Sequence, residues 1–170
     1  FLKHLRDDKL TDRGGIKAVQ EERPNNFGTH ASAARAAIDF YLKDFVDLAR
    51  CAKVFQGWLG DRTAYTGFKF GSLSWQADST KPVGINKTDA LKQGHSIDGV
   101  LPDDQRRGCG FVWPPCKENY VWEALQGACV AAEILSKAGY DAWGWSDEAL
   151  SRAVTWLYDI CKYPPEGDDT

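Results

Sequence analysis

The sequence contains no methionine, only three histidines among 170 residues, and no pair of cysteines spaced two apart. Histidines at positions 4, 30 and 95 are too scattered for a compact metal-ligand motif, and five cysteines without a CxxC pair exclude a zinc knuckle and a thioredoxin-type site. No G-x-S-x-G elbow, Walker-type glycine loop or H-E-x-x-H occurs, which argues against serine hydrolase, nucleotide and zinc-protease chemistry. A basic excess is also missing. With a formal net charge of -3 and a pI near 5.6, the chain offers no broad field for a phosphate backbone, and no nucleic-acid partner is expected. No run approaches the roughly 18 apolar residues of a membrane span, and no charged-then-apolar leader opens the chain, so no membrane association is expected. The absent methionine, together with Phe1 at the start, leads us to expect a processed or partial chain.

What is present is the composition of a folded protein: 43% hydrophobic, 12% aromatic and 26% charged residues, enough for one core. We expect a single helical domain over 1–170, part of a larger unit. Residues 1–24 read as a polar lead-in broken by Gly14 and Gly15 and stopped by Pro24. Apolar residues then recur at helical spacing. Ala34, Ala37, Ile38, Tyr41 and Leu42 over 31–43, and Phe45, Leu48, Ala49, Ala52, Phe55 and Leu59 over 44–59, mark two helices or one helix with a bend. Between 60 and 116 the periodicity dissolves into a long loop region of Gly, Ser, Thr, Asp, Lys and Pro with scattered aromatics; loops of this length are usually functional. From Lys117 a stripe through Val121, Leu125, Ala128, Ala132 and Leu135 runs to Gly139. Ser146 is then an expected N-cap before Asp147, Glu148 and a stripe of Leu150, Ala153, Val154, Leu157 and Ile160, ended by Pro164 and Pro165. Cys109 and Cys116 flank a loop and can close a short disulfide. Cys51, Cys129 and Cys161 fall in helices as small buried hydrophobes. The fold class is all-α, built of helical hairpins with one long irregular insertion.

Three segments can carry chemistry. In NNFGTHA (25–31), Asn26 or Thr29 can cap a helix, and if the helix starts near Asn26, then Asn26 and His30 lie four apart on one face. A helix N-terminus welcomes an anion, with the Asn25 and Asn26 amides as further donors. The loop GHSIDGVLPDDQRRG (94–108) gathers His95, Asp98, Asp103, Asp104, Arg106 and Arg107, and arginines of this kind grip carboxylates bidentately. In KENYVWEAL (117–125), Tyr120 stands one position off the core stripe, so its hydroxyl can point either into packing or into a cleft. Trp75 and Trp113, in the loop region, suit sugar stacking as well as core packing.

NNFGTHASAA, DGVLPDDQRRG and ENYVWEAL, in that order, resemble the alginate lyase family of polysaccharide lyases over roughly residues 23–165. The resemblance implies an (α/α) toroid, here an incomplete barrel, acting on a polyuronate such as alginate (polymannuronate) or glucuronan. It matches Asn26 to the family asparagine that binds the substrate carboxylate, Tyr120 to the catalytic tyrosine, and Arg106 or Arg107 to the arginine of the R-G segment. Phe27 stands where the family has histidine, which makes His30 and His95 the candidates for that role. The implied reaction is β-elimination: the hydrogen on C5 of a uronate is removed and the 4-O-glycosidic bond breaks. Negative charge gathers on the carboxylate, where Asn26, a histidine and an arginine hydrogen-bond it, while Tyr120 moves the proton. No metal or organic cofactor is required, the partner is an acidic polysaccharide, and the polymer implies a secreted or periplasmic protein. Two alternatives stay open: a glycoside hydrolase using Asp98 with Asp104 or Glu118, and a non-catalytic carbohydrate-binding relative.

Overall fold

In the computed structural model, which describes residues 1–8 and 14–161, helices alternate with short turns except for one long excursion. The helices are α1 (Leu2–Asp7), α2 (Ile16–Glu22), α3 (Asn26–Leu42), α4 (Phe45–Leu59), α5 (Pro102–Gln105), α6 (Tyr120–Lys137) and α7 (Trp145–Ile160). The strands β1 (Leu91–Lys92) and β2 (His95–Ser96) form one antiparallel hairpin. The protein is thus mostly helical, as the apolar spacing predicts.

The segment over 1–24 differs from expectation: it is not a polar lead-in but carries two helices. Charge, rather than an apolar stripe, ties them down. Arg6, 2% exposed, donates to Asp39 at 2.6 Å and Asp44 at 2.8 Å; Arg35, 1% exposed, donates to Asp47 at 2.7 Å, Gln20 at 2.8 Å and Glu21 at 3.0 Å. Lys17 adds an ion pair to Asp47. This network fastens α1 and α2 across the α3–α4 hairpin. Burial pushes the Asp39 carboxyl up to about 6 despite Arg6, whereas for Asp47 burial is outweighed by Arg35 and Lys17, which hold it down at about 2.

The α3–α4 turn pivots on Lys43, in left-handed backbone, and Asp44 caps α4 by accepting from the Asp47 N–H. Ala37, Tyr41, Leu42 and Phe45, expected in the buried stripe, are exposed, and Val154 on α7 is exposed as well; α3 instead buries Ala31, Ser32, Arg35, Ala36, Ile38 and Asp39. On α4, α6 and α7 the stripes otherwise hold. Leu48, Ala52, Phe55 and Leu59 of α4, Val121, Leu125, Ala128, Ala132 and Leu135 of α6, and Ala153, Leu157 and Ile160 of α7 form one core.

The most extensive helix contact joins α3 to α6. Asn26 meets Glu123, and one turn further Thr29 and His30 meet Gly127, so the two helices run parallel. Parallel neighbours need a long crossover, which is what the segment from Gly60 to Asn119 supplies. It is not structureless: Trp75, Ile85, Ile97, Val100 and Leu101 are fully buried, and Asn86 and Gln76 pin its backbone through Trp75 O, Ala77 N and Val83. The β1–β2 turn has positive φ at Gln93 and Gly94, as a type I′ hairpin requires. A Cys109–Cys116 disulfide closes the last loop before α6. Of the other cysteines, Cys51 is buried, Cys129 half-buried and Cys161 exposed.

Ser146 does not cap α7. Ser146, Asp147 and Glu148 hold left-handed backbone, and the Ser146 and Asp147 carbonyls accept from the Arg152 guanidinium instead. That same guanidinium also reaches Asn86 O and Asp98, which locks the crossover to α7.

Candidate functional site

Asn25 precedes α3 in extended backbone and accepts from the Phe27 N–H at 3.2 Å, so Asn25, not Asn26, is the cap. Gly28 lets this first turn sit directly against the Arg23 carbonyl, which any Cβ would strike. At the parallel end of α6, Tyr120 is the first helical residue, its N–H held by the Glu118 carboxylate at 3.0 Å.

Between these helix starts lies a groove of about 430 Å³ lined by Val19, Arg23, Asn25, Phe27, Arg107 and Tyr120, a size that accommodates a multi-ring ligand. The Arg107 guanidinium carbon lies 3.6 Å from the centre of the Tyr120 ring, a close cation–π stack. None of the described residues lining this groove carries a carboxylate. Asn25 Oδ1 is engaged by the cap, and its Nδ2 has no hydrogen-bond partner among the described residues.

Asn25, Arg107 and Tyr120 are thus brought together as sequence-predicted candidates, and of the two arginines Arg107 lines the groove. Arg106 is a strut: its Nε donates to the buried Asp103 at 2.9 Å, and Asp103 in turn accepts from the Gly71 N–H. Asn26 does not face the groove either. Its Nδ2 donates to Glu123 at 2.8 Å and its N–H to Asp104 at 3.0 Å, so the acceptor at the start of α3 is the protein's own carboxyl. Burial pushes Asp104 up to about 8, against the Asn26 N–H that favours its charged form.

The two histidines do not join the group. His30 is exposed on α3 where that helix crosses Gly127, and His95, on β2, stacks on Trp113 with ring centres 4.5 Å apart and planes within 8°. Neither lines the groove. Trp75 cannot serve as a sugar platform, because it is fully buried and its Nε1 donates to Cys109 O at 2.9 Å. Trp113 has one ring face covered by His95. Sequence reasoning missed Arg23 and Val19, which reach the groove only because α2 ends beside the α3 cap; the one signal was a cation two residues before the capping asparagine.

Among the described residues no group of three or more His, Cys, Asp or Glu side chains is arranged to hold a metal ion, and no helix is long and apolar enough to cross a membrane. No protein-family model matches the chain, and no curated protein or solved structure matches it.

Proposed function

We propose that the groove between the starts of α3 and α6 is the active site of a polysaccharide lyase that cleaves a polyuronate, of the alginate or glucuronan kind, by β-elimination. The observation that carries this reading is the Arg107–Tyr120 stack beside Asn25 in a groove whose described lining holds no carboxylate. A uronate carboxylate is recognised there by Arg107, with the Asn25 amide as a second donor, as negative charge develops on it. The Tyr120 phenolate oxygen takes the C5 proton, with the Arg107 cation on its ring face offsetting the charge of that form, and the phenol so formed gives the proton to O4 as the C4–O4 bond breaks and the C4–C5 double bond forms. Phe27, at the place of the family histidine, contributes an apolar wall and no proton.

Two parallel helices in a first row, α3 and α6, backed by α4 and α7 in a second, support an (α/α) toroid portion as the architecture. A disulfide at Cys109–Cys116 agrees with a secreted or periplasmic protein. The hydrolase alternative is weakened because Asp98 is paired with Arg152, Asp104 is buried against Asn26, and Glu118 caps the Tyr120 N–H. The test is ultraviolet absorbance of unsaturated uronate ends on incubation with polymannuronate and glucuronan. Product from the native protein and its loss by a factor of at least 100 in Tyr120→Phe are expected. Saturated ends would establish hydrolysis, and binding without turnover would make the groove a carbohydrate-binding site.

A further inference from the structure

Eight arginines lie among the described residues, and six of them are committed to a carboxylate or carbonyl. Arg6, Arg35, Arg50, Arg106 and Arg152 each pair with an acid, and Arg62 donates to Pro82 O at 2.7 Å. The two without such a partner, Arg23 and Arg107, line the same groove. Among the described residues, every other guanidinium is held by a carboxylate or a carbonyl, and these two share one recess whose described lining holds no carboxylate.

Arg23 is also built for recognition at its backbone. Its N–H closes α2 onto Val19 O at 3.0 Å, its carbonyl is covered by Gly28, and the next carbonyl, of buried Pro24, accepts from Trp58 Nε1 at 2.8 Å. The main chain is fixed on both sides while the side chain is exposed, so a ligand meets a charge whose anchor is already ordered. The planar guanidinium fork matches a carboxylate in two hydrogen bonds.

We infer that Arg23 forms a second carboxylate position, so that the groove reads two uronate residues of one chain: one at Asn25, Arg107 and Tyr120, the next at Arg23. This rests on the polyuronate reading above. Specificity then follows from the spacing of charge along the polymer, and a chain in which acidic and neutral sugars alternate loses the Arg23 contact.

The inference is tested by calorimetric titration of a monouronate and a diuronate into protein carrying Tyr120→Phe, which prevents turnover, with and without Arg23→Gln. One charge-assisted pair at an exposed site corresponds to about tenfold in affinity. Diuronate affinity is expected to fall about tenfold on Arg23→Gln, monouronate affinity to change less than twofold, and Arg23→Lys to recover part of the loss. Equal losses for both ligands, or none for the diuronate, overturn the inference. If the native protein yields no unsaturated product but the diuronate-specific loss is seen, the lyase reading fails and the two-carboxylate groove stands.

Discussion

Replacing Gly127 by alanine tests whether the α3–α6 contact sets the geometry of the groove. A Cβ at this position would lie 2.6 Å from His30 N, 2.7 Å from Thr29 C and 2.8 Å from Thr29 Oγ1. Comfortable separations are about 3.5–4.0 Å, so the helices must part locally by roughly 1 Å; two of the three atoms are backbone and cannot swing aside. Overpacking of this kind costs about 1–3 kcal/mol, with the upper end expected here, and the better helix propensity of alanine returns about 1 kcal/mol. The net destabilisation is about 1–2 kcal/mol. For a chain of this size that is a fall of roughly 2–8 °C in Tm, read by circular dichroism at 222 nm (~222, the helix band). The same displacement separates Asn25 on one helix from Tyr120 on the other. Misplacement by about 1 Å can cost on the order of a hundredfold in rate, so kcat/KM for a polyuronate should fall much further than stability does. A Tm that rises, as propensity alone would give, refutes the packing argument. A lower Tm with unchanged turnover refutes the claim that this crossing positions the site.

Three further outcomes follow from the same structure. Arg35→Ala leaves Asp47 and Glu21 without their buried partner and should cost about 3–5 kcal/mol, measured by urea unfolding, with α2 losing amide-exchange protection first. Asp104 has a folded pKa raised to about 8, so between about pH 4 and pH 8 the folded state holds a proton that the unfolded state releases, and its contribution makes stability fall as pH rises through that window. Asp104→Asn, which mimics the protonated acid, should flatten that slope and leave the protein more stable than the parent at pH 8 (~8, the folded value) in thermal melts. Trp75→Ala empties a fully buried site and should cost about 3–5 kcal/mol in denaturant melts while leaving the polyuronate affinity of the folded protein within about twofold; a selective loss of affinity would return Trp75 to the binding surface.

The long helices were legible because burial repeats every three or four residues: Val121, Leu125, Ala128, Ala132 and Leu135 all face the core of α6. The helices before Pro24 were not, since Arg6, Lys17 and Arg35 hold them by charge, and charge pairing across distant segments has no period to read. Position within the capping segment was also hidden. Successive residues on a helix point about 100° apart, so the difference between Asn25 and Asn26 as cap exchanges a groove-lining side chain for one bound to Glu123. Arg107 and Tyr120 were found as motif members, yet their stacking depends on the closed loop between them. His30 and His95 were candidates for the role that Phe27 leaves open, but His30 lies where α3 crosses Gly127 and His95 on the hairpin of the crossover, and neither lines the groove.

The parallel course of α3 and α6 has an electrostatic consequence of its own. Each helix start carries roughly half a positive charge from its aligned peptide dipoles, and here two like poles stand side by side at the mouth of one groove. Glu123, in the first turn of α6, offsets part of their mutual repulsion, whereas Asp104, whose proton burial retains, meets the first N–H of α3 as a neutral acceptor. The groove therefore sits in a field that belongs to the main chain as well as to its arginines. Side-chain substitution can remove the guanidinium forks proposed to select a carboxylate, but a weak, salt-sensitive attraction for anions is written into the direction of the backbone.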